Sequence, residues 1–283
     1  MTKYVYSFGG DRNEGDKSMR NILGGKGCNL AEMANLGVPV PPGFTVITDV
    51  CGMYNAAGKV IPAAVVEQIK ESLTWLEGNQ GKKLGTGEFP LLLSVRSGAR
   101  DSMPGMMNTI LNLGLNDQSV ESLAKVSNNP TFAYDSYRRF IMMYSDVVLD
   151  VHKDLFEEKL EDLKHKTGKH NDTEITAEEW KQLAEVYKQI VLEKTGKPFP
   201  QDPWEQLLGG VSAVFNSWDT ERAIIYRRMN RIPDEWGTAV NVQAMVFGNM
   251  GDDCGTGVAF TRDPGTGENY FYGEYLILSL IHI

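Results

Sequence analysis

Two arginines and a lysine carry the most specific chemistry in this chain. Arg96 and Arg100 follow the apolar run Leu91-Leu92-Leu93-Ser94-Val95, and the turn Ser102-Met103-Pro104-Gly105 comes next. The run has the character of a buried strand; its switch to small residues and arginines predicts that the charges stand at the strand end and face a cleft. Arginine is always cationic and offers a planar fork of donors, which suits a phosphate, although the same residue type also closes structural ion pairs on loops. Gly105 gives the turn backbone angles closed to other residues and lets a ligand or another backbone approach. The lysine is Lys26, in Gly24-Gly25-Lys26-Gly27. After it, Cys28 to Ala34 are good helix formers with Leu30, Met33 and Ala34 on one predicted face. Free N–H groups, the positive end of the helix dipole and an ammonium compose an anion cradle, and a tight loop with a solvated lysine is the other reading. It is not a Walker motif, because the wider glycine spacing and the Ser/Thr after the lysine are missing.

The elements that must hold these residues are legible in outline. Tyr4 to Phe8 alternates weakly, as an edge strand does. Gly37 to Thr48 reads as a proline-stiffened turn entering a strand, and Val65, Val66, Ile69, Leu73 and Leu76 predict an amphipathic helix. From Asn116 to Gly209 the pattern is helical. Tyr134, Tyr137, Ile141, Tyr144 and Val148 mark one apolar face of a helix on which Arg138 and Arg139 point about 100° apart, so at most one should face a given ligand. Thr176 with Glu179 forms a capping box before Trp180, Leu183, Val186, Tyr187 and Ile190, and Gly196 with Pro198 ends that helix. Helical spacing resumes from Trp204 to Met229 with a break where Asp219 or Thr220 would cap the second piece. Arg222, Arg227, Arg228 and Arg231 there read mostly as surface charges, with one of them lining a phosphate pocket as the sharper alternative. Thr238 to Phe247 is the clearest strand, with Val240, Val242, Ala244 and Val246 on one side and Asn241, Gln243, Met245 and Phe247 on the other. Gly255 to Pro264 is expected to pair with it as a hairpin, whose Gln243, Met245 and Val246 suit an adenine ring.

The whole-chain numbers set limits. With 283 residues, 42% hydrophobic and 23% charged, the sequence has the composition of a soluble globular protein. Its net charge of -9 carries no compensating basic stripe, which argues against nucleic-acid binding and makes any phosphate site a local positive pocket. No apolar stretch is long enough to span a membrane, and the start has no signal-like region. Cys28, Cys51 and Cys254 show no metal spacing, so a reduced, cytoplasmic protein is expected.

The string from Ser94 to Thr109, S-V-R-S-G-A-R-D-S-M-P-G-M-M-N-T, resembles the signature of the pyruvate, phosphate dikinase family in its amino-terminal nucleotide-binding domain. Gly24 to Met33 (G-G-K-G-x-N-L-A-E-M), Val38 to Phe44 (V-P-V-P-P-G-F) and Gly255 to Glu268 (G-T-G-V-A-F-T-R-D-P-G-T-G-E) are similar to further motifs of that family, in its order. The related water-using phosphoenolpyruvate synthase keeps V-R-S but then typically runs through an acidic segment to an aromatic-glycine pair, in place of the S-M-P-G-M-M found here. The resemblance implies an α+β, ATP-grasp-like nucleotide-binding domain with an inserted helical subdomain, missing its carboxyl-terminal strands. Its parts would be an α/β lobe at 1–115, a helical insert at 116–209, a helix with an adenine hairpin at 210–276, and a tail foreign to the family at 277–283.

By the same resemblance, Lys26 and Arg96 are the catalytic, phosphate-contacting cations, Gly105 lets its loop close over the phosphates, Arg139 reaches the nucleotide, and Gln243, Met245 and Val246 hold adenine. ATP is then a substrate with AMP as product, and inorganic phosphate is the second acceptor. Magnesium ligands, the phosphohistidine domain and the pyruvate-binding domain are expected in segments this sequence does not contain. His152, His165, His170 and His282 do not sit in a phosphohistidine-like segment. The full-length enzyme is expected to be a homo-oligomer without nucleic-acid or membrane partners. Leu278 to Ile283 could be encoded by a transposase end sequence used in DNA library preparation, so we expect the tail to be an assembly artefact, an idea refuted if the intact locus encodes it followed by a stop. A non-catalytic nucleotide-binding module and the water-using synthase are the alternatives.

Overall fold

The computed structural model describes residues 2–277, so the terminal run read above as an artefact, Leu278 to Ile283, lies outside the described residues. In chain order the elements are β1 (Val5–Phe8), α1 (Arg20–Asn35), β2 (Gly43–Val46), α2 (Thr48–Ala56), α3 (Ala63–Gln80), β3 (Leu93–Ala99) and β4 (Thr109–Leu113). A helical run follows: α4 (Asp117–Ser127), α5 (Pro130–Val148), α6 (Asp154–Thr167), α7 (Ala177–Thr195), α8 (Pro203–Ser217) and α9 (Glu221–Asn230). Then come β5 (Thr238–Ala244), β6 (Gly255–Phe260) and β7 (Tyr272–Ile277). It is a mixed helix and sheet fold in which, among the described residues, these strands all pair antiparallel.

The main sheet has the order β1-β2-β5-β3-β4, with β1 at the edge as expected. Directly opposed residues share a face of a sheet. Phe44, Val242, Val95 and Ile110 therefore form one apolar row across β2, β5, β3 and β4, and all four are fully buried. Helix α8 covers this face so closely that a Cβ on Gly210 would stand 3.2 Å from the side chains of Ile110 and Leu113. The neighbouring row, Thr45, Asn241, Arg96 and Thr109, points to the other face. Period-2 alternation thus sorts the sheet into an apolar side that makes the core and a polar side available for chemistry.

Two expectations about strands need correction. Arg96 does not end its strand; β3 continues through Ser97, Gly98 and Ala99 with β5 paired beside it along its whole length. The small residues after Arg96 are there because α1 lies close above them, not because the strand stops. Nor does β5 form a hairpin with the glycine-rich strand after it. Both edges of β5 are occupied, by β2 and β3, and β6 pairs with β7 in a separate two-stranded sheet. A strand buried on both sides has no free ladder for its chain neighbour, a choice set by distant segments and invisible in local alternation.

The helices follow the sequence pattern more closely. In α5 Tyr134, Tyr137, Phe140, Ile141 and Tyr144 are buried, and Phe199 meets the rings of Phe140 and Tyr144 edge-on at 5.7 Å. The Thr176–Glu179 capping box opens α7 and left-handed Gly196 closes it, although Val186 turns outward and is 42% exposed. In α1 the buried face is Leu23, Gly27, Cys28 and Ala31, while Met33 is exposed. Small residues win that face because the helix sits so near the sheet. Thr220 stands at the start of α9 but its hydroxyl donates to Ser217 O, so no side chain caps that helix. Arg227 is no surface charge: it is 2% exposed, bonded to Asp234 and to Trp218 O, and stacked on the Trp218 ring.

Candidate functional site

The polar row of the sheet and the start of α1 face each other. Helix α1 is broken at Gly24, whose φ of 68° and ψ of 176° no helix allows, and Gly25, Lys26 and Gly27 begin a new helical stretch. Only glycine fits at 24: a Cβ there would lie 1.6 Å from Gly98 O on β3. One turn on, a Cβ at Gly27 would come within 2.9 Å of Thr45 Oγ1 and 3.0 Å of Asn241 Oδ1. The break puts the start of a new helical stretch, the positive end of its dipole, at the sheet surface.

Lys26 and Arg96 meet in this place. Both keep solvent-accessible area, yet the surrounding protein desolvates each and pulls its pKa below the ordinary value. Arg96 adds its charge to the desolvation that depresses Lys26, so the two cations are close enough to repel. Among the described residues neither has a carboxylate or hydrogen-bond partner. Beside them the Asn241 amide is 2% exposed; its Oδ1 accepts from Thr45 Oγ1 at 2.8 Å, while its buried Nδ2 has no partner. Two unneutralised cations, an unsatisfied donor and a helix start are a donor set that an anion completes.

The segment from Arg100 to Asn108 borders the same place. A Cβ at Gly25 would lie 3.5 Å from Arg100 O at its start, and Thr109 at its end is paired with Arg96. Met106 N donates to Met103 O, with Pro104 and left-handed Gly105 (φ 73°) between them, the arrangement of a type II turn. Gly105 is required by its backbone angle, since a Cβ there would meet nothing within 4 Å.

Along β3 the chain leads to a second feature. Pro90, Leu91, Leu92, Phe89, Met245, Val246, Phe247 and Lys82 line a cavity of about 270 Å³. Leu92 and Arg96 are four residues apart on one line, or roughly 13 Å at strand rise, comparable to the reach from a purine to its outer phosphates. A larger cavity of about 610 Å³ lies over Glu77 to Phe89 and includes neither Lys26 nor Arg96.

Of the residues picked from sequence, Lys26 and Arg96 are thus brought together, Gly105 lies on the bordering loop, and Met245 and Val246 line the smaller cavity. Gln243 is not among its lining residues; its amide donates to Pro41 O at 2.8 Å. Arg139 bonds Asp135 and Asp172, the same carboxylates that hold buried Arg138. Two adjacent arginines thus converge on shared partners, because their side chains are long enough to cancel the 100° between them. Among the described residues no three carboxylate, histidine or cysteine side chains cluster to hold a metal, and no helix is long and apolar enough to cross a membrane.

The chain matches the model of the pyruvate phosphate dikinase AMP/ATP-binding domain over residues 20–84 and 57–279. It belongs to that family. Pyruvate, phosphate dikinase of Clostridium symbiosum is 61% identical over 98% of this chain and 31% of the relative, and that of Rhizobium meliloti is 55% identical over the same shares. The chloroplastic pyruvate, phosphate dikinase 1 of Oryza sativa subsp. japonica is 57% identical over 97% of this chain and 29% of the relative. The chain therefore spans about a third of the length of these relatives. Sequence reasoning missed Asn241 and Thr45 beside the site, whose only signal was polarity on strand faces, and offered Arg222 only as one of four arginines that could approach a phosphate pocket.

Proposed function

We propose that this chain is the ATP-binding part of a pyruvate, phosphate dikinase with an ATP-grasp-like arrangement. The parent enzyme converts ATP, pyruvate and inorganic phosphate into AMP, phosphoenolpyruvate and diphosphate through a phosphohistidine. The observation that carries the reading is the unpartnered Lys26–Arg96 pair under the Gly24 break. Phosphoryl transfer asks for positioning and charge neutralisation rather than covalent chemistry from the protein, and Lys26 and Arg96 supply that charge at the phosphates. The loop carrying Gly105 closes over them, the base lies against Met245 and Val246 with Gln243 at its rim, and Arg139 is released from Asp135 and Asp172 to reach the nucleotide. Magnesium would come with ATP and neutralise phosphate charge; among the described residues no three carboxylate, histidine or cysteine side chains cluster to hold it. The α/β lobe at 1–115, the helical insert at 116–209 and the adenine lobe at 210–276 act with phosphohistidine and pyruvate-binding domains of the remaining length, in a cytoplasmic homo-oligomer.

The test is the first half-reaction of the full-length enzyme. Arg96→Ala should lose roughly 2–4 kcal/mol of transition-state stabilisation; near-wild-type turnover would remove Arg96 from catalysis. Turnover that needs inorganic phosphate separates this reading from a water-using synthase.

A further inference from the structure

The most basic stretch of the chain, on α9, contains one arginine that the reading above leaves without a task. Arg222 donates through Nε to Met106 O at 3.2 Å and through its terminal nitrogen to Asn108 Oδ1 at 2.8 Å. It therefore grips the segment that follows the Pro104–Gly105 turn. The segment's other end is gripped in the same manner: Arg20, at the start of α1, donates to Arg100 O at 2.8 Å and to Asp101 at 3.2 Å. Met103 is buried as a central anchor, while Pro104 and Gly105 stay exposed. Neither arginine is spent in the core, unlike Arg227 five residues further along α9. Nothing else on α9 touches this loop through a side-chain hydrogen bond among the described residues.

We propose that Arg222 is a positioning residue for polyphosphate recognition, setting the height of the Gly105 turn above Lys26 and Arg96 from the α9 side. The inference rests on the phosphate site proposed above. Its logic is geometric. Buried Met103 and the pairing of Thr109 with Arg96 already hold the chain on either side of the turn; Arg222 adds a hold on Met106 and Asn108 between them, which narrows the path of Pro104 to Met106 past the cations. A planar guanidinium holds both donors in one rigid fork, whereas an ammonium offers rotatable donors from a single nitrogen. The loop borders the outer phosphates, so its placement matters for ATP and little for AMP, which lacks them.

Calorimetric titration of the chain with Mg-ATP and with AMP tests this, using wild type, Arg222→Ala, Arg222→Lys and Arg228→Ala, the last an exposed neighbour on the same helix. Arg222→Ala should weaken Mg-ATP about tenfold and AMP less than twofold, Arg222→Lys should fall between, and Arg228→Ala should match wild type. Amide exchange at Gly105 to Asn108 should rise in Arg222→Ala with α9 unchanged. Equal loss for both nucleotides, an equal loss in Arg228→Ala, or unchanged Mg-ATP affinity would overturn the role while leaving the phosphate site standing. Failure of the folded wild-type chain to bind Mg-ATP would instead overturn the site itself, and the inference with it.

Discussion

Lys26 and Arg96 hold their charges at a cost, since desolvation and mutual repulsion both favour losing a proton from Lys26. A polyphosphate bound between them, as proposed, would reverse that preference and raise the Lys26 pKa on binding. Between the free and bound pKa values the complex then holds more protons than the free chain, so Mg-ATP binding takes up protons at alkaline pH. Affinity falls as pH climbs through the free-state value. Calorimetry in two alkaline buffers of different ionisation heat measures the uptake; it should vanish in Lys26→Ala, and its absence from wild type would show that Lys26 does not face the phosphates. For stability the sign is the opposite of the usual ion pair: between the depressed folded-state pKa and the ordinary lysine value the unfolded chain binds the extra proton, so the penalty this group imposes is relieved as pH rises. The candidacy of both residues was legible from their types beside glycines. Asn241 was not, and Arg222 could not be told from Arg227, Arg228 and Arg231, because an orphaned amide and a loop-gripping arginine are defined only by their neighbours.

At the scale of elements, the site depends on how closely α1 approaches β3. Gly24→Ala would place a methyl group on Gly98 O and force a left-handed backbone on alanine. We expect a loss of roughly 2–4 kcal/mol, or displacement of α1 with loss of nucleotide binding. Urea denaturation alongside a binding titration checks this; a variant that keeps both stability and affinity would mean that the contact is loose. Elements fixed by local rules were read correctly from sequence: the Thr176–Glu179 box, the Gly196 stop and the period of α3 all act within a few residues. The partners of β5 were not, for strand pairing is settled by segments far apart in the chain, and its chain neighbour β6 lost to β2 and β3. The helix face of α1 was misjudged for the same reason, since hydrophobicity favoured Leu30 and Met33 whereas close packing selected Gly27 and Ala31.

For the whole molecule, one antiparallel sheet does two jobs by alternation. Its apolar face closes the core against α8, and its polar face carries Arg96, Asn241 and Thr45 to the broken start of α1. In the proposed site, the line from Arg96 to the cavity at Leu92 and Met245 would accommodate the length of a nucleotide. Calorimetric titration with Mg-ATP of the wild-type chain, Lys26→Ala and Arg96→Ala tests this arrangement most directly. Saturable binding, weakened at least about tenfold (about 1.4 kcal/mol) by either substitution, is the predicted result; saturable binding that neither substitution changes, or no binding by the folded wild-type chain, would contradict it.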